Sequence, residues 1–65
     1  MKLYSLQANN DRIATIHELN NQFILTSKYL LDGRSEPIIE HTSHFTTSEQ
    51  ALLAATTYLS AANNQ

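Results

Sequence analysis

The stretch that decides the fold is TTSEQALLAATTYLSAA, residues 46–62. It opens with two overlapping capping boxes, Thr46-x-x-Glu49 and Thr47-x-x-Gln50, in which a hydroxyl accepts a hydrogen bond from an orphan N–H while the longer side chain reaches back. An apolar stripe at helical spacing follows, made of Ala51, Leu52, Ala55, Tyr58, Leu59 and Ala62. The stretch therefore predicts an amphipathic helix over about residues 47–62.

Upstream of the helix, the chain alternates apolar and polar residues in four runs that are separated by turn signals. The turn signals are Ala8-Asn9-Asn10-Asp11, Asn20-Asn21 and Asp32-Gly33, which are rich in residues that tolerate the left-handed backbone region. The four runs predict strands at about residues 2–7, 12–19, 22–31 and 36–45. Because proline cannot donate to a β-ladder, Pro37 predicts that the fourth strand lies at a sheet edge.

The predicted fold class is therefore α+β. We expect a four-stranded antiparallel β-meander followed by one C-terminal α-helix that packs across one face, in the order ββββα. We expect residues 1–65 to form a single small domain, with a polar tail at residues 63–65.

The length of the chain places a constraint on how it is stabilised. A chain of 65 residues lies near the lower limit at which enough surface is buried for independent folding. Domains of this size usually depend on disulfides, a metal or a partner chain, and the sequence contains no cysteine. The chain must therefore associate with itself, associate with a partner, or form an efficient small core.

The charge of the chain argues against two classes of partner. The net charge is −2, and the basic residues occur singly rather than in a cluster; they are Lys2, Arg12, Lys28 and Arg34. A surface that follows phosphates needs clustered basic residues, so we expect no direct nucleic-acid binding. The sequence has no apolar run of about 20 residues and no apolar leader after Met1-Lys2, so we expect no membrane span and a cytoplasmic location.

The turn lengths predict which residues pair across the sheet. The second hairpin should pair Leu19 with Gln22, His17 with Ile24, and Thr15 with Thr26. The third should pair Leu31 with Arg34, Tyr29 with Glu36, and Ser27 with Ile38. In the first hairpin a four-residue turn would bring Gln7 opposite Arg12, Leu3 opposite Ile16, and Leu6 opposite Ile13. These pairs then assign every strand residue to one of two faces, because neighbouring residues in a strand point in opposite directions.

Both predicted faces are substantially apolar. One carries Met1, Leu3, Ala14, Ile16, Phe23, Leu25, Tyr29, Leu31 and Ile38. The other carries Tyr4, Leu6, Ile13, His17, Ile24, Leu30, Ile39, His41 and Phe45. A single helix, about 10 Å wide with its side chains, covers only one face, and leaving half a dozen large apolar side chains exposed on the other forgoes on the order of 10 kcal/mol.

We therefore expect the second face to form an interface with another copy of the chain or with a different protein. The predicted interface consists of Tyr4, Leu6, Ile13, His17, Ile24, Leu30, Ile39, His41 and Phe45, together with Leu53 on the exposed side of the helix. The alternative is that a β-bulge shifts one register, mixes the faces and leaves scattered apolar residues exposed.

The histidines are the only residues that suggest a metal site. His41-x-x-His44 lies beside Glu40, and His17 occurs elsewhere in the chain. Zinc needs three or four converging ligands, whereas strand residues three apart point to opposite faces. A small metal- or ligand-binding domain that uses His17, His41 and His44 is the alternative hypothesis. The leading hypothesis, a protein-binding module, assigns no metal and no cofactor.

Catalytic motifs give no support for an enzyme. The six serines lie outside any nucleophile-elbow pattern, and no glycine-rich turn is present that could form an oxyanion hole or a phosphate-binding loop. A non-enzymatic protein-binding module, most simply a homodimer, is therefore the leading hypothesis.

In its size and self-contained form the chain resembles the short stand-alone proteins of phages and mobile elements that inhibit host machinery by stoichiometric binding. The resemblance implies an inhibitor such as an anti-CRISPR protein, or an antitoxin.

Overall fold

The computed structural model describes residues 1–30 and 35–61 and has the predicted ββββα order. The elements are β1 Lys2–Asn9, β2 Arg12–Leu19, β3 Gln22–Tyr29, β4 Ile38–Phe45 and α1 Ser48–Ala61. The strands form one antiparallel sheet in the order β1-β2-β3-β4, and α1 packs on one face of it. The α+β meander with a C-terminal helix is confirmed, and β4 lies at an edge of the sheet as Pro37 predicted.

The hairpin between β2 and β3 has the predicted register. Leu19 pairs with Gln22, His17 with Ile24, and Thr15 with Thr26. Asn20 and Asn21 form the two-residue turn with φ of 53° and 64°. Positive φ at both turn residues is the signature of a type I′ turn, whose twist matches that of the flanking strands. Asparagine adopts this region more readily than other non-glycine residues, so this turn fixes the centre of the sheet.

The first hairpin is tighter than predicted. Asn9 pairs with Arg12, so the turn contains two residues rather than four, and β1 extends to Asn9. Asn10 supplies the left-handed conformation at φ 58°. The predicted pairing of Gln7 with Arg12 is therefore wrong. A shift of two residues keeps each side chain on its face, because the side-chain period of a strand is two.

Two β-bulges then change the faces. In β1 the register shifts between Leu3 and Ser5, so that Leu3 lies opposite His17 and Ser5 opposite Ile16. In β4 the register shifts beside Glu40, so that Ile39 lies opposite Lys28 and His41 opposite Ser27. One extra residue breaks the alternation of a strand, so the side chains beyond the bulge point to the face opposite the one that unbroken alternation predicts.

The bulges, the short first turn and the start of β4 at Ile38 correct several predicted pairs. Leu3 opposite Ile16, Leu6 opposite Ile13, Tyr29 opposite Glu36 and Ser27 opposite Ile38 are all wrong; Leu6 lies opposite Thr15 and Tyr29 opposite Ile38. The predicted Asp32-Gly33 turn, the Leu31–Arg34 pair, Ala62 and the tail at residues 63–65 lie outside the described residues.

The core forms between the middle of the sheet and the predicted helix stripe. Its buried members are Ala14, Ile16, Leu25, Ala51, Ala55 and Leu59, with Leu52 and Tyr58 partly buried beside them. Alanine at two buried helix positions lets the helix backbone approach the sheet closely. In the described part of the chain, Ile16 is the largest side chain that is fully buried. The core is therefore thin, as expected for a chain of this length.

Both ends of α1 are capped. At the start, the Thr47 hydroxyl accepts from the Gln50 backbone N–H at 3.2 Å, and the Thr46 hydroxyl donates to the Gln50 side chain at 3.5 Å. At the other end, Arg12 donates to the carbonyl of Tyr58 at 3.3 Å and Asn9 donates to that of Leu59 at 3.1 Å. These two carbonyls lie in the last turn of α1, where helix carbonyls lack partners within the helix. The first hairpin therefore holds the end of the helix.

The left-handed turn between β2 and β3 gives a test of the central register. We expect Asn21→Ala to lower the free energy of unfolding by about 1 kcal/mol, because a Cβ-bearing residue without a local polar group is disfavoured at positive φ. Asn21→Gly should preserve or raise stability, since glycine adopts this region freely. Urea unfolding followed by circular dichroism measures both. Equal loss in the two variants would show that the turn conformation is not what the position requires.

Candidate functional site

The face of the sheet that lies away from α1, called here the open face, is the first candidate site. Three rows of side chains cross it from β1 to β4. The rows are Leu3–His17–Ile24–His44, Leu6–Thr15–Thr26–Thr42 and Ala8–Ile13–Lys28–Ile39. They lie opposite the helix because Ala14, Ile16 and Leu25, on the alternate positions of the strands, are buried under it.

The open face is apolar and largely exposed. Leu3, Leu6 and Ile39 have exposed fractions of 54%, 63% and 62%, and Ile13 and Ile24 are partly buried between their neighbours. The polar positions in the three rows are three threonines, two histidines and one lysine. Lys28 is the one lysine or arginine in the three rows, and none of them contains an acidic residue. A contiguous apolar surface of this kind usually marks an interface.

The structure brings five of the predicted interface residues together on the open face: Leu6, Ile13, His17, Ile24 and Ile39. Leu30 follows β3, and its backbone N–H donates to the Asp11 carbonyl at 2.7 Å. Leu53 is 69% exposed on α1 and lies on the other side of the sheet. Leu3, predicted on the face opposite these residues, belongs to the open face because the β1 bulge reverses it.

The face assignment of three further residues is corrected. Tyr4 contacts the ring of Phe23 edge-on with centroids 5.1 Å apart, and Phe23 packs against the core under the helix. His41 and Phe45 pair with Ser27 and Phe23 and therefore point to the helix side. The sequence contains no local signal for the two bulges, so simple alternation placed Tyr4, His41 and Phe45 on the wrong face.

The second candidate site is a groove between α1 and the β3–β4 side of the sheet. It is open to solvent and has a volume of about 860 Å³. Its lining residues are Leu25, Ser27, Glu40, His41, Ser43, Phe45, Gln50, Leu53, Ala54, Thr57 and Tyr58. Four strands span about 19 Å, whereas one helix covers about 10 Å. The groove is the part of the helix-side face that α1 leaves uncovered.

Tyr58 closes one end of this groove. Its hydroxyl lies 2.8 Å from Glu40 Oε1 and 2.9 Å from the Lys28 carbonyl oxygen, so one proton faces two acceptors. The Arg12 guanidinium lies over the Tyr58 ring at 4.9 Å from its centroid, in a cation–π contact. Tyr58 thereby joins the end of α1 to β2, β3 and the bulge in β4.

The environment of Tyr58 favours its protonated form. Burial contributes most to raising the pKa of the phenol to about 12, followed by the hydrogen bond to Glu40 and the negative charge of that carboxylate. The positive charge of Arg12 acts in the opposite direction. Tyr58 is therefore a neutral hydrogen-bond donor throughout the physiological pH range.

The three histidines do not converge. His17 and His44 lie in one row of the open face with Ile24 between them, and His41 lies on the helix side. Across residues 1–30 and 35–61, no group of three potential metal-binding side chains is close enough to hold an ion. The geometry therefore gives the metal-binding hypothesis no site among the described residues.

Membrane insertion through a helix has no candidate either. Of the helical residues that the structure describes, no segment combines the length and the apolar character that a membrane crossing requires.

Comparison of the chain with protein-family models, with curated proteins and with solved structures finds no match. We therefore infer the function from the open face and the groove.

The hydroxyl of Tyr58 gives a test of how the helix is held. We expect Tyr58→Phe to lower the free energy of unfolding by about 1–2 kcal/mol, because the partly buried Lys28 carbonyl and the exposed Glu40 carboxylate lose their donor. Tyr29→Phe, which also removes one phenolic hydroxyl, is the control and should change stability little. Chemical denaturation measures both. Equal effects of the two substitutions would show that the Tyr58 hydrogen bonds do not stabilise the fold.

The raised pKa of Tyr58 also predicts a pH dependence. The unfolded phenol ionises near its ordinary pKa of 10.0 and the folded phenol near about 12. The folded state therefore holds the proton more tightly, so the contribution of Tyr58 to stability is complete below pH 10.0 and falls as the pH rises toward about 12. Urea midpoints measured over this range should fall more steeply for the wild type than for Tyr58→Phe. Parallel curves would contradict the assignment.

Proposed function

We propose that the chain is a non-enzymatic protein-binding module that forms a homodimer through its open face and acts in the cytoplasm by stoichiometric occlusion of a macromolecular partner. The observation that carries the proposal is the exposure of Leu3, Leu6 and Ile39 in one continuous sheet surface. Burial of each large apolar side chain contributes roughly 1.5–3 kcal/mol. Because the thin core leaves little stability in reserve, covering this face would matter to the whole fold.

A second copy is the partner that the open face fits best. Lys28 is the one lysine or arginine in the three described rows of this face, so two such faces meet with little charge repulsion. The two outer rows each contain two large apolar residues, and they flank a central row in which Leu6 is followed by three threonines, a pattern that a two-fold axis can bring into register with itself. A sheet face of four strands and eight residues measures about 19 by 27 Å, which is of the order of the roughly 800 Å² per partner in standard interfaces.

Occlusion of a target is the second part of the proposal. Dimerisation through the open face leaves α1, the groove and the edge of β4 exposed on the outside of each protomer. A chain of 65 residues with these surfaces can block a site on a larger protein by covering it. An inhibitor of a bacterial defence system, such as an anti-CRISPR protein, is one concrete form of this activity, and an antitoxin is another.

Charge substitution on the open face tests the dimer. We expect Ile24→Asp and Ile39→Asp each to convert the dimer to a monomer, because a carboxylate buried in an apolar interface lacks a partner. Size-exclusion chromatography with light scattering gives the mass, and far-ultraviolet circular dichroism verifies that the secondary structure remains. The matched control is Leu53→Asp, which places the same charge on an exposed leucine of α1 and should leave the mass at that of a dimer.

Two results would contradict the dimer. A wild-type protein with the mass of one chain at micromolar concentration would remove it directly. A mass that falls only in Leu53→Asp would place the self-association on the helix instead of the sheet.

Titration calorimetry with the target, once captured from the native host, tests occlusion, which requires a fixed ratio of one protomer to one target site.

A further inference from the structure

The outer edge of β4 is a free strand edge in the described part of the chain. β4 pairs with β3 on one side, and no other strand of residues 1–30 or 35–61 pairs with it. The bulge beside Glu40 interrupts the first half of β4, whereas residues 41–45 keep a regular register with β3. Exposed strand edges are templates for the addition of another strand.

The groove lies directly beside this edge. In the regular part of β4 the residues that point to the helix side are His41, Ser43 and Phe45, and all three line the groove. An added strand would alternate in the same way, so every second side chain of it would enter the space next to these three. That space is open because the side chains beside it are small: Ser43 on β4, Ser27 on β3 and Ala54 on α1.

The groove has an apolar end and an anionic end. Phe45, Leu25 and Leu53 supply apolar surface where α1 begins, and Glu40 lies at the other end beside Tyr58. Of the described residues that line the groove, Glu40 is the only aspartate, glutamate, lysine or arginine. The Tyr58 hydroxyl and the cation–π contact of Arg12 with the Tyr58 ring hold this end together. A cationic group fits here, and an anionic one is repelled.

We propose that the edge of β4 and the groove bind an extended peptide segment of the target protein as a fifth, antiparallel strand. Two apolar side chains of that segment, at alternate positions, lie beside Phe45 and Ser43, and a lysine or arginine two positions further lies beside His41 and Glu40. Backbone hydrogen bonds to β4 provide affinity, and the side chains in the groove provide specificity.

This inference depends on the proposed function in one respect: the open face is occupied by the second copy, so the target must bind on the opposite side. The groove and the β4 edge are on that opposite side, and each protomer of the dimer presents one of each. The peptide site itself requires only a folded protomer. Its failure and that of the dimer can therefore be distinguished by using a monomeric variant.

The probe is a heptapeptide, acetylated and amidated, with the sequence Thr-Leu-Thr-Val-Thr-Lys-Thr. A comparison peptide carries glutamate in place of lysine. Isotope-labelled protein is titrated with each peptide to about 1 mM, a range that detects even weak binding. We expect chemical-shift changes at residues 41–45 and 53–58 with the lysine peptide, and weaker binding of the glutamate peptide.

Substitutions in the groove test which groups recognise the peptide. Glu40→Gln keeps an oxygen that accepts from Tyr58 but removes the charge, and it should weaken binding of the lysine peptide about three- to fivefold. Glu36→Gln makes the same change at an exposed residue outside the groove and should leave binding unchanged. Ser43→Phe should abolish binding by filling the groove, with circular dichroism to verify folding.

The outcomes separate the two proposals. Absence of shift changes in the wild type at about 1 mM lysine peptide overturns the peptide site, as do changes confined to the open face or equal binding of the two peptides. The same titration on Ile24→Asp should give the same groove shifts. If the wild type is itself a monomer that binds the peptide, the dimer is wrong and the peptide site remains.

Discussion

The structure depends on the close contact between one helix and the middle of a four-stranded sheet. Ala51 and Ala55 bring the backbone of α1 onto Ile16 and Leu25, and Leu59 completes the contact. The small residues allow the helix and the sheet to approach closely, but the contact buries few large side chains. A helix of about 10 Å cannot extend over a sheet of about 19 Å. The groove follows from this mismatch in width, whereas the open face is uncovered because α1, the one helix among the described residues, packs on the other side of the sheet.

The two uncovered surfaces have different chemistry because the strand faces differ. The described rows of the open face combine leucine, isoleucine, threonine and histidine with one lysine, Lys28, and are suited to an apolar partner of the same kind. The groove on the helix side joins apolar residues to one carboxylate, Glu40. Because these surfaces lie on opposite sides of a thin domain, self-association and target binding need not compete. This separation would allow the proposed dimer contact and the proposed peptide contact to form at once.

The bulge in β4 connects the fold to the groove. It places Glu40 within 2.8 Å of the Tyr58 hydroxyl, and the same hydroxyl reaches the Lys28 carbonyl of the neighbouring strand. Bulges re-aim side chains and interrupt the regular pairing of edge strands. Here one extra residue both ties the end of α1 to the sheet and sets the anionic end of the groove. Arg12 acts from the other side, since it caps the helix and stacks on the Tyr58 ring.

The sequence by itself determined the element order, the helix stripe, the edge position of β4 and the register of the Asn20-Asn21 hairpin. Each of these depends on local preferences: hydrophobic period, capping hydroxyls, proline chemistry and the tolerance of asparagine for positive φ. Only the tertiary structure decided where the two bulges fall, and with them the faces of Leu3, Tyr4, His41 and Phe45. A bulge is selected by the fit of a strand to its neighbour and to the helix above it, as the contact of Glu40 with Tyr58 illustrates. That fit joins residues 18 positions apart, and no local pattern in the chain records it.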